Sequence, residues 1–194
     1  MRKLLFFPAV LIFGLFSCST RNVSVQQSLQ AEEGVVINGV RWATRNVDIP
    51  GRFVENPENA GWFFAWNSRR GTSPGVGRRW ERANDPCPRG WRVPTREEFQ
   101  SLLDAGHNWT TLNGVYGRFF GTEPYQIFLP AVEQHRSSTG AIQQQRTNNT
   151  NTIATYWSSS ESNFNAYRLL FRSVGAGVGS SERWNMLSVR CVAD

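Results

Sequence analysis

Three cysteines carry the most reactive side chains of the sequence, and their surroundings differ. Cys18 ends the tetrad Leu15-Phe16-Ser17-Cys18, where a leucine, a small residue and a thiol fall in the spacing of a bacterial lipobox. The chemistry at such a site needs sulfur: a diacylglyceryl group is joined to the thiol before cleavage leaves the cysteine as the new N-terminus. Acyl chains at about 0.8 kcal/mol per buried methylene then hold the chain on a membrane. An ordinary secretory signal cut near Ser19 would instead leave Cys18 incidental. Cys87 and Cys191 remain. In an exported chain they allow a single pairing, closing a loop of roughly a hundred residues and contributing about 4–5 kcal/mol, or they stand as two buried free thiols.

Other reactive types lack the spacing that chemistry requires. His107 and His135 lie far apart, with no HxH or HExxH pattern, and are expected to be plain surface. Glu97 and Glu98 are adjacent, but Thr95 and Glu98 form a capping box, which accounts for them at the start of a helix. No cofactor or metal is expected, and no nucleophile, base and oxyanion set can be named, so the chain is read as non-catalytic. The polar stretch Ser137–Thr152 is expected to be a long loop, and loops of that length are functional or mobile. Its Gln143, Gln144, Gln145, Asn148, Asn149 and Asn151 offer amides suited to hydroxyl-rich ligands, with Arg136 and Arg146 adding carboxylate contacts. The arginine-rich turn Ser68–Arg82 is the second place to look.

The elements that must position these groups follow from pattern. Met1-Arg2-Lys3 precedes an apolar run, Leu4–Phe16, too short for the roughly 20 residues of a membrane span, so residues 1–17 read as a signal peptide. Residues 18–33 are polar and aperiodic, a lipidated tether, and the folded domain is expected over 34–194. Removing Arg2 and Lys3 leaves 19 arginines against 15 acids, a net +4 without a single lysine. An exported protein seldom meets nucleic acid, so no nucleic-acid partner is expected. Asn38-Gly39 between apolar runs predicts a hairpin. The capping box and the stripe Phe99, Leu102, Leu103 predict a helix over 96–105. Strands are expected over 126–132, 154–160 and 166–174, and the alternation of Leu187, Val189 and Cys191 predicts a last strand with one buried side. Trp42, Trp91 and Trp157 are expected in the core, while Trp62 and Trp66 fit either core or a stacking platform.

The motifs "GVRWATRNVD", "DPCPRGWRVPTREEF", "FLPA", "YWSSS" and "SVRCV", in that order, resemble the Fibrobacter succinogenes major paralogous domain of exported Bacteroidetes proteins and lipoproteins, over essentially 34–194. The resemblance implies an α+β, C-type lectin-like fold: short antiparallel strands, one or two helices, long loops and one structural disulfide, Cys87–Cys191. "GWRVPTREEF" is also similar to a segment of formylglycine-generating enzymes, but their reactive C-terminal cysteine pair is missing here. Lectin-style calcium is not expected either, because Trp184-Asn185-Met186 lacks the carboxylate of the Trp-Asn-Asp ligand motif. The function expected is a ligand-binding or adhesion module for a glycan or protein. It would be presented on the outer membrane, on its periplasmic or its outer face, through lipid on Cys18. The alternatives are a structural envelope or appendage subunit and an envelope enzyme of unrecognised chemistry. Cys18→Ala should abolish acylation and either release the protein or stall its precursor; membrane fractionation indistinguishable from wild type would contradict the lipobox reading.

Overall fold

Two Asn-Gly pairs between apolar runs turn the first two hairpins. A computed structural model describes residues 34–69, 79–136, 142–145 and 152–194. Strand β1 (Val35–Ile37) pairs antiparallel with β2 (Val40–Asn46) around Asn38 and Gly39, whose φ values of 48° and 81° are the left-handed pair of a type I′ turn. Asn113-Gly114, at 49° and 78°, does the same between β4 (His107–Leu112) and β5 (Val115–Thr122). That second hairpin carries the same dipeptide signal as the first, and β6 (Tyr125–Pro130) completes its three-stranded sheet. A second three-stranded sheet, ordered β11-β10-β9, is built from β9 (Ala154–Ser162), β10 (Asn165–Arg172) and β11 (Gly175–Glu182). The terminal strand β12 (Arg190–Ala193) inserts between β2 and the short β3 (Trp91–Arg92).

The helix forms as its capping box predicts. Helix α1 spans Arg96–Asp104: Thr95 accepts from the Glu98 amide at 3.2 Å, and Glu98 accepts from the Thr95 amide at 2.7 Å. Its Phe99 and Leu102 enter a core with Trp42, Phe120, Leu129, Tyr156, Phe171 and Val192, where all three larger sheets meet. A second core holds Trp66, Trp91, Trp157, Leu187, Val189 and the Cys87–Cys191 disulfide, whose Cα atoms are 6.1 Å apart.

Three expectations change. With one α-helix and a single 3₁₀ turn (Arg82–Asn84) among the described residues, the class is mainly β rather than α+β. The last strand is buried on both sides: Leu187, Val189 and Cys191 do share one core, but Val192 enters the other and Arg190 is fully buried. Alternation marks a strand but cannot tell whether solvent or a second core covers its other face. The stretch 137–152 is not one loop, since β8 (Ile142–Gln145) pairs antiparallel with β7 (Glu133–Arg136). A two-stranded polar ribbon satisfies its backbone by pairing and needs no apolar alternation for a sequence reading to find.

Two arginines join the sheets. Arg118 of β5 reaches the β10–β11 turn, donating to the carbonyls of Arg172 (2.8 Å from Nη2) and Ser173 (3.1 Å). Arg190 donates to Asn46 Oδ1 at 2.9 Å, to the Ala43 carbonyl at 3.1 Å and to the Phe128 carbonyl at 3.0 Å. Asn46 in turn donates to the Ala60 carbonyl at 2.9 Å and lies 3.3 Å from the Tyr156 hydroxyl, which donates to the Pro130 carbonyl at 2.7 Å. Burial lowers Arg190 to about 10 and raises Tyr156 to about 12, so at neutral pH the first stays charged and the second neutral. Arg190→Ala should lower the unfolding free energy by more than about 3 kcal/mol, because it strands three buried acceptors. Arg190→Lys should not restore it, since one ammonium cannot span three divergent acceptors. Chemical denaturation midpoints equal to wild type would contradict this account.

Candidate functional site

The groups that sequence singled out are not gathered into one described site. Cys18, Arg146, Asn148, Asn149 and Asn151 lie outside the described residues. Cys87 and Cys191 are spent in the disulfide. On the β7–β8 ribbon, Gln143 stands opposite His135, Gln144 opposite Gln134, Gln145 opposite Glu133 and Arg136 opposite Ile142.

Two carboxylates of "DPCPRGWRVPTREEF", Asp85 and Glu98, hold that segment together, while Glu97 is exposed. Asp85 is buried; its Oδ1 accepts from the Cys87 amide at 2.9 Å, and its Oδ2 accepts from the Val93 amide at 3.0 Å and from Arg82 at 3.3 Å. Burial pushes its carboxyl above the usual range, and the two amides and the Arg82 charge oppose that shift. Glu98 pairs with both terminal nitrogens of Arg92, at 2.6 and 2.8 Å, besides capping α1. Among the described residues, no three His, Cys, Asp or Glu side chains cluster as a metal site would require. In Trp184-Asn185-Met186, Met186 is buried and Asn185 donates to Ser181 Oγ at 2.9 Å.

The surface that stands out is one end of the β9–β10–β11 sheet. Asn163, at φ 52°, turns β9 into β10, and the amide side chain tolerates this left-handed backbone. Phe164, at the tip of that turn, is 90% exposed. Asn165 pairs with Glu182, and two residues beyond Glu182 stands Trp184, 59% exposed. Between them Arg183 locks the end in place: it donates to the carbonyls of Asn163 (2.9 Å) and Asn165 (3.1 Å) and stacks 4.2 Å from the Trp66 ring centre. Trp66 is fully buried and donates to the Ser158 carbonyl at 2.9 Å, whereas Trp62 is half exposed. The segment Phe64–Trp66 runs alongside Arg183–Leu187, with Phe64 and Leu187 exchanging backbone bonds of 2.8 and 3.0 Å.

Two aromatic rings held out into solvent on an anchored backbone cost hydration free energy that packing would have recovered. Polar residues neighbour them along the chain and across the strand pairs: Asn163 and Asn165 flank Phe164, Asn185 follows Trp184 and bonds Ser181, and Glu161 and Glu182 are exposed. Sequence reading missed this surface, weighing Trp184 only as part of an absent metal motif and passing over Phe164. The "ESNFN" turn carried the available signal, a large aromatic where a hairpin tip normally takes a small polar residue. No protein-family model, curated protein or solved structure matches this chain, and the reading of the surface rests on its own residues.

Proposed function

We infer that the chain is a lipid-anchored envelope protein whose domain, from residue 34 onward, is a lectin-like module that captures a glycan without catalysis. The observation that carries this reading is the pair of solvent-facing rings at one end of the β9–β10–β11 sheet, Phe164 on the β9–β10 turn and Trp184 just past β11, with Arg183 bonding the backbone of that β9–β10 turn. Pyranose rings present apolar C–H faces that stack on aromatics, while their hydroxyls need donors and acceptors of both kinds, which Asn163, Asn165, Asn185 and Ser181 provide. A protein partner fits less well, because a specific protein interface needs about 800 Å² per side and an aromatic core, whereas these rings rise among polar groups.

The resemblance to the Fibrobacter succinogenes major paralogous domain supports the lectin-like placement. Small antiparallel sheets, and a disulfide from the approach to α1 into the last strand, are what that resemblance implies. A non-catalytic role is supported by where the reactive side chains are engaged: Asp85, Glu98, Arg118, Tyr156 and Arg190 each hold backbone or a neighbouring element. The lipobox supports attachment to a membrane through lipid on Cys18.

On a glycan array, the full-length mature protein should bind a restricted set of saccharides with or without chelator. The double variant Phe164→Ser, Trp184→Ser should lose that binding at least tenfold, with a melting temperature within about 2 °C of wild type, since both rings are exposed. Absence of binding to every saccharide would sink the glycan reading, and undiminished binding by the double variant would move the site elsewhere.

A further inference from the structure

His107 is not plain surface. It opens β4 at the foot of α1, its ring meets Phe120 edge-on at 5.5 Å, and its Nδ1 lies 2.9 Å from Arg118 Nη1. A guanidinium can only donate, so Nδ1 must be the bare, accepting nitrogen and the imidazole must be neutral for the contact to exist. Arg118 is buried except for a twentieth of its surface, and its other nitrogens are committed across a sheet boundary to the carbonyls of Arg172 and Ser173. Those carbonyls belong to the β10–β11 turn, whose closing pair is Arg172 and Gly175. One side chain therefore couples the protonation of His107 to the seating of that turn.

We propose that the His107–Arg118 contact is an acid-sensitive latch: a proton on Nδ1 removes the acceptor, sets two cations in contact and releases Arg118 from the β10–β11 turn. Among the described residues, no carboxylate is found whose charge acts on His107. Arg118 from β5 is the charged neighbour whose field acts on His107, Phe120 beside it is apolar, and Asp104, at the end of α1, is exposed and forms its bond with Gln100 at 2.9 Å. Arg172, at the turn, is exposed and would add only further positive charge. Burial first, and the Arg118 charge second, outweigh a bond to the residue's own backbone and hold His107 below the ordinary histidine value of 6.5. The closed latch thus binds its proton less readily than the open latch or the unfolded chain. Closure is fully favoured above about pH 6.5 and is lost as pH falls below it, by up to tenfold in the opening equilibrium per pH unit.

Hydrogen exchange of the full-length mature protein, corrected for intrinsic rates, reads this directly. Between pH 6.5 and 5.5, protection of the Arg172 and Gly175 amides should fall severalfold, while amides of Leu102 in α1 and Val192 in β12 keep theirs. In His107→Gln, whose amide oxygen accepts from Arg118 at any pH, the turn should stay protected throughout. An equal loss in the variant, or an unchanged turn in the wild type, would overturn the latch. Should the variant fold poorly, an NMR titration of the wild type decides the matter. The resonances of Ser173 to Gly175 should move with the His107 ring, and turn signals that ignore its titration refute the proposal.

Discussion

A guanidinium buried without a carboxylate is the constraint around which this domain is arranged. Taking Arg190 out of water costs several kcal/mol, and only well-placed acceptors can offset that. It finds three, on two strands of different sheets: the Ala43 carbonyl and the Asn46 side chain on β2, and the Phe128 carbonyl on β6. Because the acceptors diverge, the charge fixes the separation of the two sheets as well as their contact. Asn46 and Tyr156 extend the same logic to the segment around Ala60 and to β9. The apolar core around Trp42 and Phe171 would tolerate small sliding movements, whereas a fork of directional bonds would not.

The disulfide works beside this network rather than in place of it. Cys191 follows Arg190 directly, so one strand carries the charge into one core and the cross-link into the other. The crowding of prolines in "DPCPRGWRVPTREEF" then has a local cause. Asp85 accepts from the amides of Cys87 and Val93 at the two ends of a short loop, while Gly90, at φ 84°, lets the chain reverse between them. Pro86 and Pro88 remove amide donors from a turn whose acceptor, Asp85, is already engaged by Cys87, Val93 and Arg82. The sulfur is aimed before the helix begins.

How much of this was legible in the sequence depends on the range of each interaction. The capping box of α1, the Asn38-Gly39 hairpin and three of the long strands are local, and the residues that make them lie within a few positions of one another. β11 escaped because "GAGVGSSE" has low strand propensity; it forms because the two-residue turn after Arg172 delivers it in register along the whole of β10. Asp85 escaped because its partners are backbone amides, which every residue has. The exposed rings of the candidate site escaped for a different reason: composition records that Phe164 and Trp184 are aromatic, but only the fold shows that nothing covers them. Strand β8 falls inside the stretch expected as a loop because polar residues carry no periodicity, although Gln143 to Gln145 pair as regularly as any strand.

Charge shows the same division between composition and use. A cation complement that is all arginine apart from Lys3, with a net positive charge, suggests on composition alone an anionic partner. In the fold, six of the described arginines are struts. Arg190 and Arg118 tie sheets together, Arg183 locks a hairpin tip, Arg168 donates to the Ser180 carbonyl at 3.2 Å, Arg92 clamps the start of α1, and Arg82 holds the terminal Asp194 at 2.7 and 2.8 Å. Each of these roles needs a planar group with several donors at fixed angles, and most are aimed at backbone carbonyls. An ammonium on a flexible stem reaches one such acceptor well and a second poorly, and it also pays more to leave water. Small sheets leave carbonyls at their edges and turns, among them those of Ala43, Phe128, Arg172, Ser173, Asn163 and Asn165, that arginines reach. Arginine is the side chain that can close those edges and turns, so the bias in composition follows from the architecture and requires no anionic ligand.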